Sequence, residues 1–145
     1  MDGRKFTMWK FRTMVCDAER RTGPVMCTPS DPRITKAGRF LRKFSIDEIP
    51  QLVNVLKGEM SLVGPRPERP VFVKDFREKI PKYMLRHKVK SGITGWAQVH
   101  GLRQDTSISK RIEYDFYYIQ NWSFGLDLKI IWKTIRKGFI DKNLR

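Results

Sequence analysis

The sequence predicts an α+β domain, mainly helical, with a small β element near the N-terminus. Three observations predict it. Several segments repeat apolar residues about three or four apart, and Ile49, Leu52, Val53 and Leu56 give the full i, i+3, i+4, i+7 spacing of one helix face. Residues 4–15 instead carry bulky residues on both faces and read as a strand pair or a strand and turn. With 145 residues, 40% of them hydrophobic, the chain suffices for a single domain, 1–145, with a real core.

The elements follow in order. Phe6 and Met8 alternate with Thr7, Trp9 and Phe11, so 4–15 reads as a strand pair or a strand and turn. Lys10 and Arg12 leave it on one side. A solvated basic edge explains them as well as a phosphate-binding pair does. Residues 16–34 read as a loop with one short helical turn. Residues 35–44 read as a short basic helix with Phe40, Leu41 and Phe44 on its apolar face. In the next helix, Ser45 and Glu48 have capping-box spacing. Ile49, Leu52, Val53 and Leu56 then form its expected core stripe. Pro50 is tolerated in the first turn, and Gly58 stops the helix.

Asp47 and Glu48 therefore stand together at a helix start, after the cation Arg42. A cap explains Glu48, and the helix dipole explains Asp47. Neither explains the pair followed by Gly64-Pro-Arg-Pro67, a stiff turn that holds Arg66 at low entropic cost. A guanidinium held in that way suits a phosphate. The carboxylates read as the reacting end of a phosphoryl-transfer site, with the turn as its wall.

Residues 68–79 read as a helix with Val71, Phe72, Phe76 and Ile80 on one side. Pro81 starts another helix, to about residue 88. Arg86-His-Lys-Val-Lys90 is a cationic run, and His87 stays unassigned. Residues 91–101 are glycine-spaced around Trp96, a packed turn or short strand. Residues 108–121 read as a helix with Ile108, Ile112, Phe116 and Ile119 on one face. The segment 122–140 sets Trp122, Phe124, Leu128 and Trp132 against Lys129, Lys133 and Arg136. Interfacial tryptophan with a basic rim tilts this reading toward a helix lying on an anionic membrane surface.

Lys and Arg number 30 against 15 Asp and Glu, a formal net charge of +15. An anionic partner follows: nucleic acid, an acidic membrane or a phosphorylated substrate. The chain has no apolar run long enough to span a bilayer, and its start does not resemble a signal peptide. Cys16 and Cys27 read as reduced thiols rather than a disulfide framework. With only His87 and His100 beside them, no soft-metal site is expected.

Several ordered blocks resemble the bacterial sugar transferases, monotopic polyprenyl-phosphate phosphoglycosyl transferases. They are Lys10-Phe-Arg-Thr-Met14, Asp47-Glu-Ile-Pro-Gln-Leu52, Leu56-Lys-Gly-Glu-Met-Ser-Leu-Val-Gly-Pro-Arg-Pro67, Gly92-Ile-Thr-Gly-Trp-Ala-Gln-Val99 and Tyr114-Asp-Phe-Tyr-Tyr118. Glu68-Arg-Pro70 and Gly101-Leu-Arg-Gln-Asp-Thr-Ser-Ile108 resemble the undecaprenyl-phosphate glucose phosphotransferase branch. The resemblance implies transfer of a sugar 1-phosphate, glucose 1-phosphate by the branch, from a UDP-sugar to undecaprenyl phosphate. UMP is released, as the first step of exopolysaccharide or other surface glycan assembly. It implies Asp47 as nucleophile, Glu48 as Mg2+ ligand, and Lys10, Arg42, Arg66 and Asp127 around the substrate phosphates. It also implies work at the cytoplasmic face of the bacterial inner membrane. Because the chain starts inside a family motif, it is expected to be the catalytic domain without the family's N-terminal membrane hairpin. Nucleic acid is not an expected partner; a homo-oligomer is allowed. The contrasting readings are a basic nucleic-acid-binding module and a catalytically silent membrane-surface domain.

Overall fold

A computed structural model describes residues 4–20, 22–28, 30–102 and 106–140, with side chains to 136. Residues 103–105, including Arg103 of the glucose-branch motif, lie outside the described residues. The helices are α1 (Lys36–Lys43), α2 (Gln51–Leu56), α3 (Pro70–Lys79), α4 (Trp96–Val99), α5 (Ile108–Gln120) and α6 (Phe124–Ile140). Short 3-10 turns cover Ile46–Glu48 and Tyr83–Lys88. Strands β1 (Ser61–Val63) and β2 (Gly92–Thr94) pair in parallel, Ser61 opposite Gly92 and Val63 opposite Thr94. The class is the expected α+β.

The named sheet lies mid-chain. Near the N-terminus the β element is one isolated antiparallel bridge, Met14 to Ile34. Residues 4–15 run without regular secondary structure apart from that bridge and are stitched to helices. The Trp9 amide donates to Asn54 Oδ1 at 3.1 Å, and Asn54 Nδ2 donates to the Thr7 carbonyl at 2.8 Å. The Phe11 amide donates to the Asp47 carbonyl at 3.0 Å. The Asn54 side-chain amide and the Asp47 carbonyl thus do what a partner strand would otherwise do for this backbone.

These bonds turn α2 inside out. Asn54 is 0% exposed and Gln51 is buried, while Leu56 is 88% exposed and Ile49, Leu52 and Val53 face outward. The expected core stripe is a surface stripe. The capping box fails too: Ser45 is left-handed with φ 54° and makes no side-chain cap. Pro50 supplies the reason. It has no N–H for the Ile46 carbonyl, so a continuous helix from 46 would lose a bond. The Ile49 amide takes that carbonyl at 3.1 Å, the chain turns as a 3-10 segment, and α2 starts afresh at Gln51. Freed from capping, the Glu48 side chain is available elsewhere.

The apolar core gathers Val63, Val99, Tyr118 and Ile130, with Trp96, Ile119, Leu126 and Ile131 packed around it. Its backbones approach closely. A Cβ on Gly92 would overlap the Gly64 amide, and one on Gly95 would overlap the Gly64 carbonyl. Helix α1 begins at Thr35, whose hydroxyl accepts from the Gly38 amide at 2.9 Å, and ends on Arg42 and Lys43, suited to its C-terminal dipole. No helix among the described residues is long and apolar enough to cross a membrane.

Candidate active site

The break at Pro50 sends Glu48 toward two cations that are far off in sequence. Lys10 Nζ lies 3.0 Å from Glu48 Oε1, and Arg66 Nη2 lies 2.6 Å from the same oxygen. Arg66 Nη1 reaches Oε2 only at 3.5 Å. Burial by itself would raise the Glu48 pKa. The charges and hydrogen bonds of Arg66 and Lys10 overcome that and hold it at about 2.

Asp47 is treated oppositely. It is 7% exposed, and its pKa moves up from 3.8 through burial first and the neighbouring Glu48 charge second. Lys10 and Arg42 pull it down, but less. Burial outweighs the two cations. One carboxylate is thus firmly ionised and engaged, while its neighbour is the more basic of the two.

Arg42 is fixed by neutral partners. Its Nε donates to Thr13 Oγ1 at 2.8 Å and its Nη1 to Cys27 Sγ at 2.9 Å. Its charge therefore stays available to Asp47. Thr13 lies inside the Lys10–Met14 block and Cys27 was read as a reduced thiol, but neither reading pointed to Arg42. Lys10, Arg42 and Arg66 line one cleft of about 1690 Å³, together with Glu68, Arg69 and Arg111.

Asp127 stands apart from this hydrogen-bonded group. It starts α6, accepting from Tyr118 Oη at 2.9 Å and Trp122 Nε1 at 3.2 Å, and lines a separate apolar groove. His87 packs edge-on against Tyr83, with ring centroids 5.5 Å apart. Burial and Arg86 lower its pKa. His100 is tied to the Trp96 carbonyl at 2.8 Å and serves α4.

Sequence reasoning also missed a buried support behind Arg66. Arg86, read as part of a cationic run, is 3% exposed. Its Nη2 donates to the Arg66 carbonyl at 2.8 Å, its Nε to Asp115 Oδ2 at 3.0 Å and its Nη1 to Tyr83 Oη at 3.1 Å. Arg111, one turn from Asp115 on α5, holds Glu68 at 2.9 Å. Helix α5 therefore fixes both sides of residues 66–68. The available signal was the i, i+4 pairing of Arg111 with Asp115 beside the expected apolar face.

A family model described as bacterial sugar transferase matches residues 1–141. The chain belongs to the bacterial sugar transferase family. It is 49% identical, over 98% of its length, to the UDP-glucose:undecaprenyl-phosphate glucose-1-phosphate transferase of Escherichia coli (strain K12), covering 31% of that protein. It is 50% identical, over 92% of its length, to the UDP-N-acetylgalactosamine-undecaprenyl-phosphate N-acetylgalactosaminephosphotransferase of Aeromonas hydrophila, covering 32% of that protein. It is also 47% identical, over 100% of its length, to the uncharacterized sugar transferase EpsL of Bacillus subtilis (strain 168), covering 68% of it. This sugar transferase domain thus spans about a third of the length of the first two relatives.

The site of this sugar transferase fits a Mg2+ ion by its donor chemistry. Glu48 is held ionised, and its Oε2 has only the long Arg66 contact. No cluster of three or more His, Cys, Asp or Glu occurs among the described residues. Mg2+ characteristically takes one or two carboxylates and completes its shell with water and substrate phosphates. Glu48, with Asp47 beside it, meets that requirement.

Proposed function

We propose that this domain transfers a sugar 1-phosphate, glucose 1-phosphate in the first instance, from a UDP-sugar to undecaprenyl phosphate through an aspartyl phosphosugar on Asp47. The observation that carries the proposal is the split dyad: a buried Asp47 with a raised pKa next to an ionised Glu48, which meets two of the three cations, Lys10, Arg42 and Arg66, that line the cleft. Relatives named for UDP-glucose and for UDP-N-acetylgalactosamine are about equally similar to this chain, so overall identity does not select the sugar.

In the first step an Asp47 oxygen attacks the phosphorus that carries the sugar. The bond from that phosphorus to the bridging oxygen breaks, and UMP leaves with that oxygen. In the second step an oxygen of undecaprenyl phosphate attacks the same phosphorus and releases the Asp47 carboxylate. The lipid then carries a diphosphate and the sugar. Two displacements remove the need for both substrates to meet at once. An anionic nucleophile approaching a diphosphate is repelled; Lys10, Arg42 and Arg66 offset that repulsion. When bound at Glu48, Mg2+ would add Lewis-acid neutralisation of phosphate charge.

The outward stripe of α2 and the exposed Trp122, Phe124, Leu128, Trp132 and Ile135 of the α6 region form the surface we assign to the cytoplasmic membrane face. Lys129 and Arg136 supply positive charge beside it. There the domain would begin assembly of an exopolysaccharide or other surface glycan.

Intact-protein mass after mixing with Mg2+ and a panel of UDP-sugars, without lipid, tests the proposal. A single sugar-phosphate adduct with matching UMP release is expected. No adduct and no UMP with any donor would overturn it. Glu48→Gln is expected to lower the adduct rate by about 10²-fold or more and to weaken its Mg2+ dependence. Removing the Glu48 charge also removes the repulsion acting on Asp47. The acid limb of the residual activity should therefore move to lower pH; an unchanged metal titration and limb would reduce Glu48 to scaffolding.

A further inference from the structure

The apolar groove that holds Asp127 has a feature the reaction above does not use. Its volume is about 340 Å³. Leu62, Phe124 and Leu128 are exposed in it. Lys90 lines this groove and also lines the cation-rich cleft containing Lys10, Arg42 and Arg66. The two spaces thus share a lysine wall.

The backbone at Lys90 is pinned. The Ser61 amide donates to the Ser91 carbonyl at 2.8 Å, and the Gly92 amide donates to the Pro65 carbonyl at 3.0 Å. A Cβ on Gly64 would overlap the Lys90 carbonyl. Lys90 is therefore held against the turn that carries Arg66. Among the described residues it has no ion-pair partner, whereas Lys10, Arg66, Arg86 and Arg111 each have a carboxylate.

We infer that this groove seats the first isoprene units of the acceptor lipid and that Lys90 binds its phosphate where the groove meets the cation-rich cleft. This rests on the transferase reading. The charge pattern commits the occupant to a prenyl phosphate. An apolar wall takes a hydrocarbon, a free ammonium takes a phosphate as a point charge, and the Asp127 carboxylate repels an anion from its own part of the groove. A phosphate group at Lys90 then lies where the groove meets the cleft lined by Lys10, Arg42 and Arg66. A phosphate without a tail would gain nothing from the apolar wall.

Lys90→Gln and Leu128→Glu test this, each in the full protein in detergent micelles. Two quantities are read: UDP-sugar-dependent adduct formation, and the KM for undecaprenyl phosphate against kcat. Lys90→Gln is expected to raise the acceptor KM about tenfold, the equivalent of one charged contact. The KM for the UDP-sugar in adduct formation should move less than twofold. Leu128→Glu is expected to raise the acceptor KM similarly. Binding of geranylgeranyl phosphate, followed through Trp122 fluorescence, should weaken in both variants, while inorganic phosphate should not compete. An acceptor KM unmoved by both variants would overturn the assignment, as would a donor KM that rises as much as the acceptor KM in Lys90→Gln. Failure of the wild type to form any adduct would overturn the transferase reading itself, which separates the two.

Discussion

Asp47→Asn is expected to abolish the aspartyl adduct and UMP release, a fall of at least about 10⁴-fold, and to make the protein more stable at neutral pH. The first effect follows from removing the attacking oxygen. The second follows from the surroundings of Asp47. Burial and the Glu48 charge raise its pKa in the folded protein above the 3.8 of the free side chain. Between those two values the folded state keeps a proton that the unfolded state has released. Stability therefore falls as pH rises through that window, and the ionised carboxylate is a standing cost above it. An amide carries no such cost. Melting temperatures at pH 7 and near pH 3 check the sign: the variant should melt higher at pH 7, and the gain should vanish below the ordinary aspartate range. Turnover near the wild-type rate would remove Asp47 as nucleophile. A lower melting temperature at pH 7 would mean that Lys10 and Arg42 outweigh burial. Strain of this kind is common where activity requires a group that the fold alone would not choose.

The parts legible in the sequence were those set by local chemistry. Helix α5 fills Ile108–Gln120 because its apolar spacing is long and strong, and α6 opens at Phe124 within the segment read as amphipathic. Asp47, Glu48 and Arg66 stood out because a carboxylate pair and a proline-fixed arginine are rare combinations. What could not be read was which side faces in. Periodicity gives α2 one apolar face but says nothing of what lies against the other. Asn54 is buried because it replaces a β partner for residues 7–9, a contact across more than forty positions. Likewise Glu48 was within reach of a cap in sequence. Pro50 broke the helix, and Lys10 and Arg66 took the carboxylate instead. Lys10 was legible only as one of a basic pair with Arg12, and Arg42 only as a cation ahead of Asp47; the resemblance alone gave both a place around the substrate phosphates.

Arg86 provides the second large expectation, because it joins stability to the site in one side chain. Arg86→Ala is expected to cost about 3–5 kcal/mol, since it leaves Asp115 buried without its partner. Burial already pushes the Asp115 carboxyl up from 3.8, with Arg86 opposing. Without Arg86 it should rise further, so the variant's deficit should be larger at pH 7 than at pH 4, where Asp115 can take up a proton. Urea unfolding at the two pH values measures this. Arg86→Met with Asp115→Leu removes both charges together, and apolar replacement of a buried pair is often close to neutral. That double variant is expected to recover most of the stability but not the transferase rate. The Arg66 carbonyl would still lack the donor now 2.8 Å away, and the guanidinium that meets Glu48 would be less well placed. Adding Arg66→Ala to the double variant should then lower the rate by much less than Arg66→Ala does alone, because Arg86 acts through Arg66. Recovery of rate together with stability would make the Arg86 contact purely architectural. Full additivity with Arg66→Ala would place its effect somewhere other than the Gly64-Pro-Arg-Pro67 turn.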